Sequence, residues 1–80
     1  MKVQILGTGC PKCKKLAENT ELALKETGLS AEIEKITEVA EIAKFKVLFT
    51  PALAIDGEVK VAGKVPDVKK IAEILKTAAG

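Results

Sequence analysis

Cys10 and Cys13 are the two cysteines of an 80-residue chain, and they flank Pro11 and Lys12 in a single Cys-x-x-Cys run. Residues three apart share one face of a helix. If this run opens a helix, both sulfurs lie on the same side of its first turn, with Cα atoms in the range a disulfide accepts. A pair so placed can close and reopen, moving two electrons each time, which is the chemistry of thiol–disulfide exchange. The attacking species is the thiolate. An ordinary cysteine, with a pKa of about 8.5, is only about 3% ionised at pH 7. A helix amino end offers unpaired N–H groups and the positive pole of the macrodipole to Cys10. Lys12, Lys14 and Lys15 add positive charge beside it. Together these effects are expected to bring a large fraction of Cys10 to thiolate near neutral pH. They also make it a better leaving group when a mixed disulfide resolves. Pro11 stiffens the turn that holds the pair close.

Plainer readings stand beside these. The three lysines are equally read as solvated side chains on an exposed turn. Cys13 falls on an apolar stripe and could be packed core, although a second thiol at this spacing argues otherwise. A purely structural bridge is the weaker reading, because closing four residues restricts the unfolded chain very little. Stable bridges are also rare in reducing compartments.

The elements that must position the pair can be traced along the chain. Residues 2–6 read as a strand around Val3 and Ile5, and Thr8-Gly9 leads into Cys10. Pro11 suits the first position of a helix, which is expected to run to about Thr27. Cys13, Leu16, Ala17, Thr20 and Leu24 follow helical spacing, and Gly28 is a natural stop. Ala31 to Ile36 alternates apolar and charged residues as a second strand does. Thr37 is expected to cap a short helix through about Lys44, with Val39, Ile42 and Ala43 turned inward. Residues 45–50 read as a connection. Ala52 to Ile55 and Glu58 to Val61 flank Asp56-Gly57, the clearest hairpin signal in the sequence. Gly63 to Pro66 reads as a turn. Asp67 begins a last helix that carries Val68, Ile71, Ala72 and Leu75 on one face.

The order is β-α-β-α-β-β-α, an α/β class. The first three elements make a parallel unit and the last three a hairpin covered by a helix. Joined, they give a four-stranded mixed sheet with three helices distributed over both faces. The first strand should be central, with the Cys10 turn at its carboxyl end, where open α/β sheets bind ligands. Eighty residues suit one domain spanning 1–80. The 48% apolar share is enough for a compact interior and argues against disorder.

Thirteen basic residues, all lysine, against eleven acidic ones leave a net charge of +2, with lysines and glutamates interspersed. This reads as a solvated surface, not a nucleic-acid face. Phe45 and Phe49 are the only aromatics, too few for a base-stacking platform. No apolar run is long enough to span a bilayer and no signal-peptide pattern opens the chain. The expectation is a cytoplasmic monomer.

The runs Thr8-Gly9-Cys10-Pro11-Lys12-Cys13, Thr50-Pro51-Ala52-Leu53 and Gly63-Lys64-Val65-Pro66-Asp67 together resemble the small thioredoxin-like redox-active disulfide proteins of the thioredoxin/glutaredoxin superfamily. A lone Cys-x-x-Cys is only moderately specific; the same motif with a later Thr-Pro opening a hairpin is much more so. The resemblance implies a minimal thioredoxin fold and three roles: Cys10 as nucleophile, Cys13 as resolving thiol, and Pro51 as a cis-proline facing the pair. Read without it, Pro51 would be an ordinary trans proline at a strand start. The resemblance also implies that Thr50 offers backbone groups to a bound peptide or thiol substrate. Gly63 and Asp67 read as turn and cap residues, with Gly63 a further candidate to touch or support substrate. Two positions depart from thioredoxins proper: Gly9 stands where they carry an aromatic, and Gln4 where they carry a buried carboxylate. The carboxylate moves protons at the resolving thiol, so Cys13 needs another acceptor, such as water. Lys12 stands where glutaredoxins usually carry an aromatic.

The leading reading is a thiol–disulfide oxidoreductase that cycles Cys10–Cys13 against a protein or small-molecule disulfide. No cofactor beyond the redox-active pair is called for. No dinucleotide fingerprint is present, so electrons are expected from a partner such as a flavin-dependent reductase. The alternative is a module that holds Cu(I) or another soft metal between the two thiolates. Zinc would need two more ligands from a chain without histidine. A third reading, a partner module that merely retains the fold, predicts that losing Cys10 changes nothing.

Overall fold

A computed structural model describes residues 1–47 and 49–79. Seven elements follow one another: β1 (Lys2–Leu6), α1 (Pro11–Thr27), β2 (Glu32–Ile36), α2 (Val39–Ala43), β3 (Ala52–Ile55), β4 (Glu58–Ala62) and α3 (Val68–Ala79). The expected order is therefore met. The strands form one mixed sheet in the order β2-β1-β3-β4. β1 is parallel to β2 and antiparallel to β3, in a register that sets Leu6 beside both Ile36 and Ala52. As expected, β1 is interior. Its carboxyl end is flanked by the end of β2 and the start of β3, so three chain segments converge there.

Local chemistry accounts for most boundaries. Pro11 occupies the first turn of α1, and Gly28 closes the helix in a left-handed conformation, its N–H donating to Leu24 O at 3.0 Å. Asp56 and Gly57 both take positive φ, the two-residue turn that matches strand twist, and β4 returns along β3 from it. Asp67 caps α3: its Oδ1 accepts the Lys70 N–H at 2.8 Å.

The two faces of the sheet are covered unequally. Val3, Ile5, Leu53 and Ile55 face α1 and α3, which contribute Leu16, Ala17, Ala23, Ile71, Ala72 and Leu75 to a single core. The opposite face is thinner: Leu6, Ile42 and Ala52 are buried, with Ile36, Phe45, Val47 and Val59 around them. Here the structure corrects the sequence. α2 spans only Val39–Ala43, its N-cap is Glu38 and not Thr37, and no side chain caps it. Ile42 alone is buried, while Val39 is 71% exposed and Ala43 lies outside the core. A helix of five residues presents little more than one position to a sheet, so the inward stripe read at 39, 42 and 43 has no room to form. Leu48, inside the expected connection, lies outside the described residues.

The buried stripe of α1 also runs differently. Asn19 and Ala23 are buried with Leu16 and Thr20, and Leu24 is only half-buried. Asn19 is polar, yet its Nδ2 donates to Pro66 O at 3.1 Å. That bond satisfies the buried amide and ties α1 to the turn before α3.

Candidate active site

The site is built where β1 ends. The Gly7 N–H donates to Ile36 O at 3.0 Å, which extends the parallel ladder one step past Leu6. Gly7 is buried against the thiols. A Cβ built there would overlap Cys13 Sγ, approach Cys13 Cβ to 3.2 Å and lie 3.9 Å from Pro51 Cα. Only a residue without a side chain lets the strand end, the helix start and the proline segment meet this closely. Sequence reasoning missed Gly7. The available signal was a glycine directly after an apolar strand, just ahead of a reactive turn.

Gly9 then takes φ +93° with open space around it. A side chain would be strained at that φ. Cys10 follows in an extended conformation (φ −67°, ψ 164°) as the N-cap of α1, and its carbonyl accepts the Lys14 N–H at 3.1 Å.

Both cysteines are free thiols, Cys10 half-buried and Cys13 buried. Their sulfurs lie 2.7 Å apart and share a hydrogen bond. The environment drives the two thiols in opposite directions. The Cys10 thiol is held below the ordinary range, first by hydrogen bonding from the Cys13 side chain, then by the Cys13 backbone N–H and that of Lys12. The Cys13 thiol is pushed up, first by burial and then by its bond to Cys10. The backbone donors among these causes are the N–H groups that the helix start offers. Pro11 and Lys12 are exposed in the first turn.

The opposite wall comes from residues 49–51. The Thr50–Pro51 peptide is cis. Pro51 is fully buried, and Thr50 is exposed. Pro51 O accepts the Gly63 N–H at 2.8 Å, so Gly63 supports the proline segment and its amide is not free for substrate. Gly63 is in turn covered by Phe49, whose Cβ would stand 2.8 Å from a Cβ built on the glycine. Sequence reasoning named Phe49 only as an aromatic; nothing in its spacing marked the contact. Gln4 is buried, and its Oε1 accepts the Gly57 N–H at 2.8 Å, so this amide serves the hairpin and not Cys13. A pocket of about 220 Å³ opens instead on the α1 side, lined by Ile5, Gly7, Cys13, Ala17, Lys35 and Thr37 among others. The buried Cys13 is therefore part of its wall. Among the described residues no group of three or more His, Cys, Asp or Glu side chains is placed to hold a metal ion.

The opposed thiol environments give a direct expectation. In the reduced protein, the rate of Cys10 alkylation by iodoacetamide rises with pH through a midpoint below that of a free cysteine, and Cys13 labels only at higher pH. Cys13→Ala removes the largest cause of the Cys10 shift and moves that midpoint up, whereas Cys13→Ser keeps a donor and leaves it low. Site-resolved mass spectrometry across a pH series reads both midpoints. A Cys10 midpoint identical in the alanine and serine variants would show that the sulfur–sulfur bond is not the cause.

A family model of the thioredoxin domain matches residues 1–76. Two archaeal proteins named thioredoxin are similar to the chain. That of Methanocaldococcus jannaschii is 47% identical over 75 residues, covering 94% of this chain and 86% of its own length. That of Methanothermobacter thermautotrophicus is 45% identical over 75 residues, covering 94% of this chain and 97% of its own.

Proposed function

The chain belongs to the thioredoxin domain family, and from that premise we propose that it reduces disulfides through a mixed disulfide formed on Cys10 and resolved by Cys13. Thiol–disulfide oxidoreductase activity comes with the family. The observation that carries the finer reading is the sulfur pair itself: two thiols 2.7 Å apart, the partly exposed one held below the ordinary thiol range and the buried one pushed above it.

In the first step the Cys10 thiolate attacks one sulfur of the substrate disulfide. A Cys10–substrate disulfide forms, and the other substrate sulfur leaves as a thiolate that takes a proton from water. In the second step Cys13 loses its proton to water in the adjoining pocket. Its thiolate attacks Cys10 Sγ, which closes the Cys10–Cys13 disulfide and expels the remaining substrate thiolate. Two electrons have passed from the dithiol to the substrate, and atoms balance without a further group. Thr50 and Pro51 line the wall against which the substrate sulfur is presented. Returning the pair to the dithiol takes two electrons from a reductase partner, which we take to be flavin-dependent. The acting form in this reading is a monomer, since every group in the cycle comes from one chain, and the compartment is the cytoplasm, where a dithiol stays reduced. Among the described residues no helix is long and apolar enough to cross a membrane.

Cys13→Ser tests the order of attack. Given a protein disulfide, this variant should accumulate a covalent adduct on Cys10 that dithiothreitol releases, because the step that expels substrate has lost its nucleophile. Mass spectrometry of the trapped species reads the linkage. Absence of any adduct on Cys10, with substrate thiols still being released, would overturn the two-step reading.

A further inference from the structure

Asn19 and Thr20 are buried polar residues of α1. Thr20 bonds within its own helix, Oγ1 donating to Leu16 O at 2.7 Å. Asn19 reaches out of the helix, to Pro66 O at 3.1 Å. An asparagine is a poor helix former, and its burial is costly without a partner. Its partner belongs to a chain of contacts that ends at the thiols. Pro66 closes the turn at 63–66, and the Gly63 N–H that opens this turn donates to Pro51 O at 2.8 Å. That bond carries the β3–β4 ladder one step past the Ala52–Ala62 pair, to the cis-proline. Pro51 Cα stands 3.9 Å from where a Cβ on Gly7 would lie, and the same point overlaps Cys13 Sγ. Cys13 is again on α1. The contacts thus form a closed circuit that leaves α1 at Cys13 and returns to it at Asn19, about 9 Å along the axis. Apolar packing holds α1 in its layer, but such packing is non-directional. A hydrogen bond has a preferred length and angle. The Asn19 amide is therefore the side-chain link that fixes where α1 stands along its axis relative to the turn, and through Gly63 relative to Pro51.

We propose that Asn19 is a positioning residue for disulfide exchange: its amide holds α1, and with it the thiol pair, in register with the Pro51 wall. The inference rests on the thiol–disulfide reading above and adds to it a residue remote from the sulfurs, which touches no substrate. Exchange depends on this register because attacking and leaving sulfurs must be aligned at the moment of transfer. Alkylation by iodoacetamide asks only for an accessible thiolate. The groups that lower the Cys10 thiol all lie within residues 10–13, so they do not depend on Asn19.

The test compares insulin reduction, Cys10 alkylation and hydrogen–deuterium exchange of the Gly63 N–H. Asn19→Leu keeps the approximate size of the side chain and removes the donor. It should lower kcat/KM for insulin about tenfold and speed Gly63 exchange about tenfold relative to the β1 amides. Its Cys10 alkylation rate and midpoint should stay at the wild-type values. Asn19→Ser, too short to reach Pro66 O, should do the same, so the test does not hang on one variant folding. Thr20→Val is the matched control: it removes a buried hydroxyl whose bond stays within α1, and should lower stability without moving any of the three readouts. Circular dichroism sets a temperature at which every variant is folded. Insulin turnover within about twofold of wild type in the folded Asn19 variants overturns the inference. So does unchanged Gly63 exchange, which would break the circuit, and an equal loss in Thr20→Val, which would make the effect general core damage. A shifted Cys10 midpoint overturns it too, by placing the effect on the thiols and not on their register with Pro51. A wild-type protein inactive on insulin overturns the thiol–disulfide reading itself, and the positioning role falls with it.

Discussion

Cys10→Ser should reduce turnover of a protein disulfide by about three orders of magnitude or more, to the rate of dithiothreitol alone. Serine keeps the N-cap geometry and the hydrogen-bonding capacity of the position, so the fold is not at risk. What is lost is an ionisable sulfur. A hydroxyl at this helix end stays protonated at any pH at which the protein is folded, and oxygen does not form the mixed disulfide. Cys13 cannot take over, because it is buried and its thiol is pushed up by that burial. The variant also loses the sulfur to which Cys13 is bonded at 2.7 Å. Insulin reduction with dithiothreitol as electron source reads the effect, with circular dichroism to confirm folding. A folded Cys10→Ser protein that retains a tenth of the wild-type rate would remove Cys10 from the nucleophile's role and would favour a module that keeps the fold without the chemistry.

How much of this was legible in the residues depends on range. Pro11 at the head of α1, Gly28 at its end and Asp56-Gly57 at the hairpin act over a few residues, and each boundary fell where the local chemistry put it. The place of β1 inside the sheet followed from element order alone. The failures share a cause: each needed a neighbour distant in sequence. Val39 and Ala43 fit a helical period, yet a five-residue α2 over Leu6 and Ala52 has room for Ile42 only. Asn19 reads as a surface residue until Pro66 O supplies its partner. The Cys10 environment was anticipated in direction and, for the N–H groups of the helix start, in cause. Its largest cause, a neighbouring thiol aimed at the same sulfur, exists only after the turn is built. Gly7 is the sharpest case, because its role is defined by an atom six residues on and a proline just ahead of β3.

Gly7→Ala tests that role with an effect on both stability and chemistry. No unusual backbone angle protects this glycine; the obstacle is steric, since an added Cβ would collide with Cys13 Sγ. The sulfur has to move, and the fully buried Leu6 and Pro51 flanking Gly7 in this corner leave little slack. Overpacking of this kind destabilises by about 1–3 kcal/mol. Displacing Cys13 Sγ also breaks its bond to Cys10. The Cys10 thiol then loses the first cause of its lowering, so its alkylation midpoint rises toward the ordinary range and less of it is thiolate at neutral pH. Resolution slows as well, because the second sulfur is no longer beside the first, and mixed disulfide should accumulate during turnover. Ordinary core damage would lower stability without this pattern, so the decisive comparison is a double-mutant cycle. With Cys13→Ala as background the colliding sulfur is gone, and Gly7→Ala should then destabilise by only a fraction of its single-mutant cost, the residue coming from the 3.2 Å approach to Cys13 Cβ. Additive penalties across the cycle, measured by urea unfolding of the reduced proteins, would show that Gly7 serves the strand end alone. Strong coupling would show that this glycine exists to leave space for the resolving sulfur.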